Sequence, residues 1–298
     1  MSTSKKADDW VSMEILDDSS ASETEVPPPV QNSEDSDEEV FEMEVVVKKK
    51  FKKVRGKLVE VVDKPPPPMK RQRQPKTSLK ISYLADDCNL GLEIGVDEAG
   101  RGPMFGRVYS GAVVLPKDPS LFNHSLMKDS KKFTSKKKID QVADYIKEHA
   151  IAWAVAFEDE QTIDRINILQ ATQQAMHKAI ASVRKQLKAK GYDHNKVFLL
   201  IDGNYFKPVI NETDGNKLPF DTIEGGDNAY CSIAGASILA KVERDKYIEE
   251  LCALHPDLVT KYGIDTNKGY GSKKHMDGIK EHGITIWHRR TFGICKEY

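Results

Sequence analysis

The sequence lacks a long apolar run. Its longest strongly apolar stretch, residues 150–157, falls far short of the ~18–20 apolar residues of a membrane-spanning helix, so no membrane partner is expected. It also lacks paired cysteines. Cys88, Cys231, Cys252 and Cys295 lie far apart with no CxxC pair, a spacing that offers no zinc site and suits reduced thiols. The acidic N-terminus has no apolar core, so neither a secretory signal nor an Arg-rich transit peptide is expected there. An intracellular protein, cytoplasmic or nuclear, is the expectation. Net charge is nearly missing too. Lys and Arg total 45 and Asp and Glu total 46, for a formal charge of -1. At face value this argues against a nucleic-acid partner.

The near-zero charge dissolves by segment. Residues 1–47 hold 2 basic and 14 acidic residues, residues 48–92 hold 13 and 4, and residues 93–298 hold 30 and 28. Residues 1–88 are rich in Ser, Glu, Asp, Pro and Lys and poor in aromatics, and are expected to form a disordered tail, acidic over 1–47 and basic over 48–76. Pro27 to Pro29 and Pro65 to Pro68 favour extended polyproline segments. The basic clusters at 48–57 and 70–76 suit a nuclear import signal or a phosphate-binding arm, and equally a solvated tail of mixed charge.

From residue 89 a single α/β domain is expected, with a C-terminal helical segment from about 255. Five strands are expected at 92–96, 108–115, 151–157, 196–201 and 219–224, the third buried on both faces. Helical patterns cover 135–149, 164–190 and 228–254. Strands first, then strand–helix alternation, give a five-stranded mixed sheet flanked by helices.

Carboxylates sit at three strand ends. Gly95-Val96-Asp97-Glu98-Ala99-Gly100-Arg101-Gly102-Pro103 runs from an apolar strand into two acids and a glycine-rich turn. Leu199-Leu200-Ile201-Asp202-Gly203-Asn204 delivers another acid before a glycine, and Gly225-Gly226-Asp227-Asn228 a fourth. Each alone also fits a plain feature: a solvated turn, an Asx turn or a helix N-cap. Together they form an all-oxygen set suited to Mg²⁺ or Mn²⁺, where ligands of α/β sheets collect. Three further clusters could hold a polyanion: Asp129-Ser130-Lys131-Lys132 ahead of a helix, and two that mix cations with glycines and aromatics, Lys268-Gly269-Tyr270-Gly271-Ser272-Lys273-Lys274-His275 and Trp287-His288-Arg289-Arg290-Thr291-Phe292-Gly293. Such compositions suit phosphate contacts and stacking.

With these stretches in order, joined by Ile166-Asn167-Ile168-Leu169-Gln170-Ala171-Thr172, Ser232 to Val242 and Arg244-Asp245, the chain from about Glu93 resembles the type 2 ribonucleases H, in the bacterial-type ribonuclease HII form. The resemblance implies an RNase H-like fold with a C-terminal helical lobe. It implies metal-dependent endonucleolytic cleavage of RNA in RNA–DNA hybrids, and incision 5′ to single ribonucleotides in duplex DNA, leaving 3′-hydroxyl and 5′-phosphate ends. It implies Asp97, Glu98, Asp202 and Asp227 as catalytic metal ligands for Mg²⁺ or Mn²⁺, two ions in the reactive complex. It implies Gly100, Arg101 and Gly102 as the reader of the ribose 2′-hydroxyl, with Tyr270 stacking on the next sugar. Lys131, Lys132, Asn167, Thr172, Ser237 and Lys241 follow as phosphate contacts or support. A single-subunit monomer is implied, with the tail free to touch protein or nucleic acid. The alternatives are another RNase H-like nuclease and a non-catalytic hybrid-binding module. Two departures stand out: Met104-Phe105-Gly106-Arg107 replaces the usual Leu-Ala-Gly-Pro, and a polar loop at 209–220 separates two of the strands.

Overall fold

The computed structural model describes residues 51–54, 57–60, 78–84, 91–211 and 214–298. The chain divides into two units, Met1–Gln72 and Arg73–Tyr298. In the first, β1 (Phe51–Val54) and β2 (Lys57–Glu60) pair antiparallel. The acidic block at 1–47, both proline runs and the basic cluster at 70–76 lie outside the described residues.

The second unit is built on a five-stranded sheet of order β5-β4-β3-β6-β7. Its strands are β3 (Leu92–Ala99), β4 (Val108–Val114), β5 (Ala152–Glu158), β6 (Val197–Asp202) and β7 (Phe220–Ile223). β4 runs antiparallel to both β3 and β5, while β6 runs parallel to β3 and β7 parallel to β6. The expected five-stranded mixed sheet is what forms. β5, expected to be buried on both faces, is instead an edge strand. Four of its seven residues are partly or well exposed, Phe157 among them. An apolar run without charge reads the same in an edge strand flanked by helices.

Helices cover both faces. α1 (Lys136–His149) and α4 (Cys231–Leu254) lie on one side, and α3 (Ile168–Ala189) on the other. The sheet meets α4 at close range because the facing residues are glycine. A Cβ on Gly95 would fall 2.2 Å from the Ser232 carbonyl carbon, and one on Gly111 2.3 Å from the Ala236 oxygen. The helix expected over 164–190 is two: α2 (Glu160–Ile166) stops and α3 starts at Asn167. Asn167 adopts φ 67° and its side chain accepts from Gln170 N–H at 3.0 Å, so it breaks one helix and caps the next.

The C-terminal helices α5 (Asp257–Tyr262), α6 (Ile264–Asn267) and α7 (Lys273–His282) share an apolar cluster with Met104, Phe105, Ile248 and Leu251. This accounts for one departure. Phe105 is fully buried against the rings of His275, Trp287 and His288 and pins the turn after β3 to the helical segment. Arg107 packs between the Phe157 and Tyr247 rings. In the 209–220 loop, Val209 and Leu218 share a backbone hydrogen bond of 2.9 Å, and Leu218 enters the core; Glu212 and Thr213 lie outside the described residues.

Residues 78–84, expected within the tail, form a strap on the domain. Lys80 N–H donates to the Ala229 carbonyl at 2.8 Å, and the Lys80 carbonyl accepts from Cys231 N–H at 2.9 Å. That second bond satisfies one of the free donors at the start of α4, where no side chain caps the helix. The buried Glu93 carboxylate accepts from the N–H groups of Tyr83 and Leu84 at 3.0 and 2.9 Å. The tail expectation rested on composition, which does not see one buried carboxylate collecting a short segment.

Candidate active site

The sheet sets the acids at one end. β3 and β6 are parallel neighbours with Val96 opposite Ile201, so Asp97 and Asp202 leave the sheet at the same level. Asp227 follows the left-handed Gly225, in the short turn after β7. Gly226 N–H donates to Asp202 Oδ1 at 2.7 Å, which ties the loop of the fourth acid to the third. Glu98 is beside Asp97 at the strand end, where its carboxylate meets Arg101 Nη1 at 3.3 Å.

The four acids lie near enough to act on one another. Burial, then the charges of Glu98 and Asp202, push the Asp97 carboxyl well above the usual carboxylate range; hydrogen bonds from Ser237 and Glu98 N–H act the other way. Burial raises Glu98, opposed by Arg101. Burial, Asp129 and Asp202 raise Asp227. Burial works against the charge of Lys131, yet Asp227, Asp129, Asp97 and Asp202 together raise its pKa. Among the described residues no three His, Cys, Asp or Glu side chains already converge as a ligand cage. The donor set nonetheless suits a hard divalent cation: it is all oxygen, and its carboxylates oppose each other's ionisation, a repulsion that a bound cation relieves.

The turn beside the acids is held from behind. Gly100 has φ 94°. The Arg289 guanidinium is fully buried and donates to four carbonyls of this turn: Gly100 (2.6 Å), Arg101 (3.1 Å), Pro103 (2.8 Å) and Gly106 (2.8 Å). Burial and the nearby Arg244 bring its pKa down to about 9. Arg244, also buried, donates to the Lys268 carbonyl at 2.8 Å. Tyr270 is half exposed, and its ring edge lies 3.5 Å from where a Cβ on Gly102 would stand.

The remaining candidates divide. Ser237 is buried, shares a 3.0 Å hydrogen bond with Ser130 and favours the charged form of Asp97, so it stands in support of the acids. Lys132 is exposed and contacts Asn228. Lys241 pairs with Asp245 and lines a groove of about 300 Å³ with Ser130, Lys136 and Lys268. Asn167 is engaged in capping α3. Thr172 is 1% exposed and donates to the Ile168 carbonyl at 2.8 Å, which leaves it no open face for a phosphate. A larger hollow of about 600 Å³ lies along α3, away from the four acids.

Sequence reasoning missed three things. Asp129 is nearly buried beside Asp227 and joined to it through Asn228 Nδ2. His275 and His288 are buried with their Nε2 atoms 3.0 Å apart. Arg289, grouped with surface cations by composition, is interior. No local signal marks it, because its partners lie up to 189 residues away in sequence.

The sequence pattern described as Ribonuclease HII matches residues 94–295. The chain is 43% identical over 206 residues to a ribonuclease HII of Parabacteroides distasonis, covering 69% of this chain and 92% of that one. It is 43% identical over 216 residues to that of Bacteroides thetaiotaomicron, covering 72% and 94%. The fold is shared with the crystal structure of a ribonuclease H2 from Pyrococcus horikoshii (TM-score 0.54, 22% identity, 70% of this chain and 96% of that one). It is also shared with Bst-RNase HIII in complex with Mn²⁺ (TM-score 0.54, 19% identity, 70% of each chain).

Proposed function

The chain belongs to the ribonuclease HII family, and on that premise we propose that it is a metal-dependent endoribonuclease of RNA–DNA hybrids that also incises 5′ to single ribonucleotides in duplex DNA. The observation that carries this reading is that Asp97, Glu98, Asp202 and Asp227 lie at one end of the sheet, beside a glycine turn and a half-exposed tyrosine.

Asp97, Glu98, Asp202 and Asp227 would hold Mg²⁺ or Mn²⁺, in keeping with the Mn²⁺ bound by the Bst-RNase HIII neighbour. Held by these carboxylates, a pair of divalent ions would supply Lewis acidity to activate water and offset charge on the leaving oxygen. The chain's own residues do the rest. Lys131 stands among the acids and meets phosphate charge. The Gly100-Arg101-Gly102 backbone reads the 2′-hydroxyl, the one group that separates the substrate from DNA. Tyr270 stacks on the adjoining sugar. The products carry 3′-hydroxyl and 5′-phosphate ends.

The test is direct. Purified protein with Mg²⁺ or Mn²⁺ should nick a duplex holding one ribonucleotide, on its 5′ side when the ends are mapped. Asp97→Asn should reduce cleavage to background while circular dichroism stays unchanged. Equal cutting of an all-DNA duplex would overturn the specificity, and full activity in chelator would overturn the metal.

A further inference from the structure

We propose that His288 and Arg289 are positioning residues for ribose recognition: adjacent on the chain, they fix the Gly100–Gly102 turn and Tyr270 in register with one another. This rests on the reading that these two elements recognise the substrate.

Arg289 sets the turn. Its guanidinium collects the Gly100 and Arg101 carbonyls. A planar trans peptide points its N–H opposite to its C=O. The Arg101 and Gly102 N–H groups are therefore directed away from Arg289, toward the exposed side of the turn. One buried side chain thus orients the peptides that meet the substrate.

His288 sets the tyrosine. Its Nδ1 accepts from Thr285 N–H at 2.9 Å, so in the neutral ring Nε2 carries the proton and donates to His275 Nε2. His275 then holds its own proton on Nδ1, which donates to the Tyr270 carbonyl at 2.9 Å. The chain of donors has one direction and ends on Tyr270. Backbone bonds lace the same elements together: Met104 N–H to the Gly269 carbonyl at 2.9 Å, and Arg289 N–H to the Met104 carbonyl at 2.8 Å. From outside, Asp164 accepts from the N–H groups of Arg290 and Thr291 at 2.8 and 2.9 Å.

The experiment compares wild type, Arg289→Met, His288→Phe and the surface variant Asp164→Ala. Dissociation constants are measured for a duplex with one ribonucleotide and for the same duplex all in DNA, with kcat, KM and the Mn²⁺ affinity of the unliganded protein. The preference for the ribose duplex should fall by about 10- to 100-fold in the two buried variants, the scale of a misplacement of about 1 Å. Asp164→Ala should fall less. Mn²⁺ affinity should hold, and KM should move more than kcat. His275→Asn, which keeps a donor toward the Tyr270 carbonyl, should retain more preference than His275→Ala. An unchanged ribose preference in folded Arg289→Met or His288→Phe overturns the proposal, as does a loss of Mn²⁺ affinity in step with preference. A wild type indifferent to the ribose overturns the underlying reading as well.

Discussion

At the residue scale the acids are arranged against stability. Asp97 is buried among like charges, and its carboxyl lies well above the usual range in the fold. A folded-state pKa above the unfolded one means that the folded form binds more protons in between, so stability falls as pH rises through that window. Asp97→Asn should thus stabilise the metal-free protein by about 1 kcal/mol at neutral pH while removing activity, the trade expected where function opposes packing. Urea unfolding at several pH values checks this. The gap between variant and wild type should shrink as pH falls toward the ordinary carboxylate range, and should narrow or reverse when Mg²⁺ is added to the wild type. A pH-independent gap would locate the effect elsewhere. Asn167 gives a second case. Asn167→Ala loses a cap worth about 1 kcal/mol, whereas Asn167→Gly, free to keep φ 67°, should cost only a few tenths. If capping is its whole role, kcat/KM per folded molecule stays level in both.

At the element scale the decisive contact is backbone to backbone, between α4 and the β3–β4 pair. Gly111→Ala places a methyl 2.3 Å from the Ala236 oxygen and should cost about 2 kcal/mol or more, read as a lowered urea midpoint. A larger loss of activity than of stability is expected, because α4 carries Ser237 against Asp97. Elements like these show what was legible. The strand ends bearing Asp97, Asp202 and Asp227 were readable because an apolar run, an acid and a glycine are local. Ser237 was found through resemblance, and only packing gave it an address. The split of α2 from α3 was missed because one residue in the left-handed region leaves the apolar periodicity intact. The strap at 78–84 was missed because its anchor, Glu93, shows in sequence only as another charge. Arg289 and His288 were misplaced because burial of a cation depends on carbonyls from a distant turn.

At the scale of the whole molecule the charge balance takes a different meaning. The 30 basic and 28 acidic residues of 93–298 are not evenly spent. Some of the acids form the cluster at the sheet end, and two of the arginines, Arg244 and Arg289, are interior. The net charge of this span is close to zero, and the basic stretch at 48–76 should add to substrate affinity. Removing residues 1–77 should weaken duplex binding at low salt and flatten its salt dependence, with catalysis at saturating substrate unchanged. Removing 1–84 is a different operation. It strips the donors from buried Glu93 and the acceptor from the start of α4, and should cost about 2–3 kcal/mol in addition. Thermal melts of the two truncations separate these effects. The Arg289–Gly100 bond carries a further consequence, in the timing of synthesis. Partners 189 residues apart meet only after everything between them has been made. A nascent chain has all four carboxylates once Asp227 has emerged, well before Arg289 is available to the turn. The four acids are thus made first and the residue proposed to hold the ribose-reading turn last, so a ribosome-stalled fragment ending before Arg289 would carry the acids without that support.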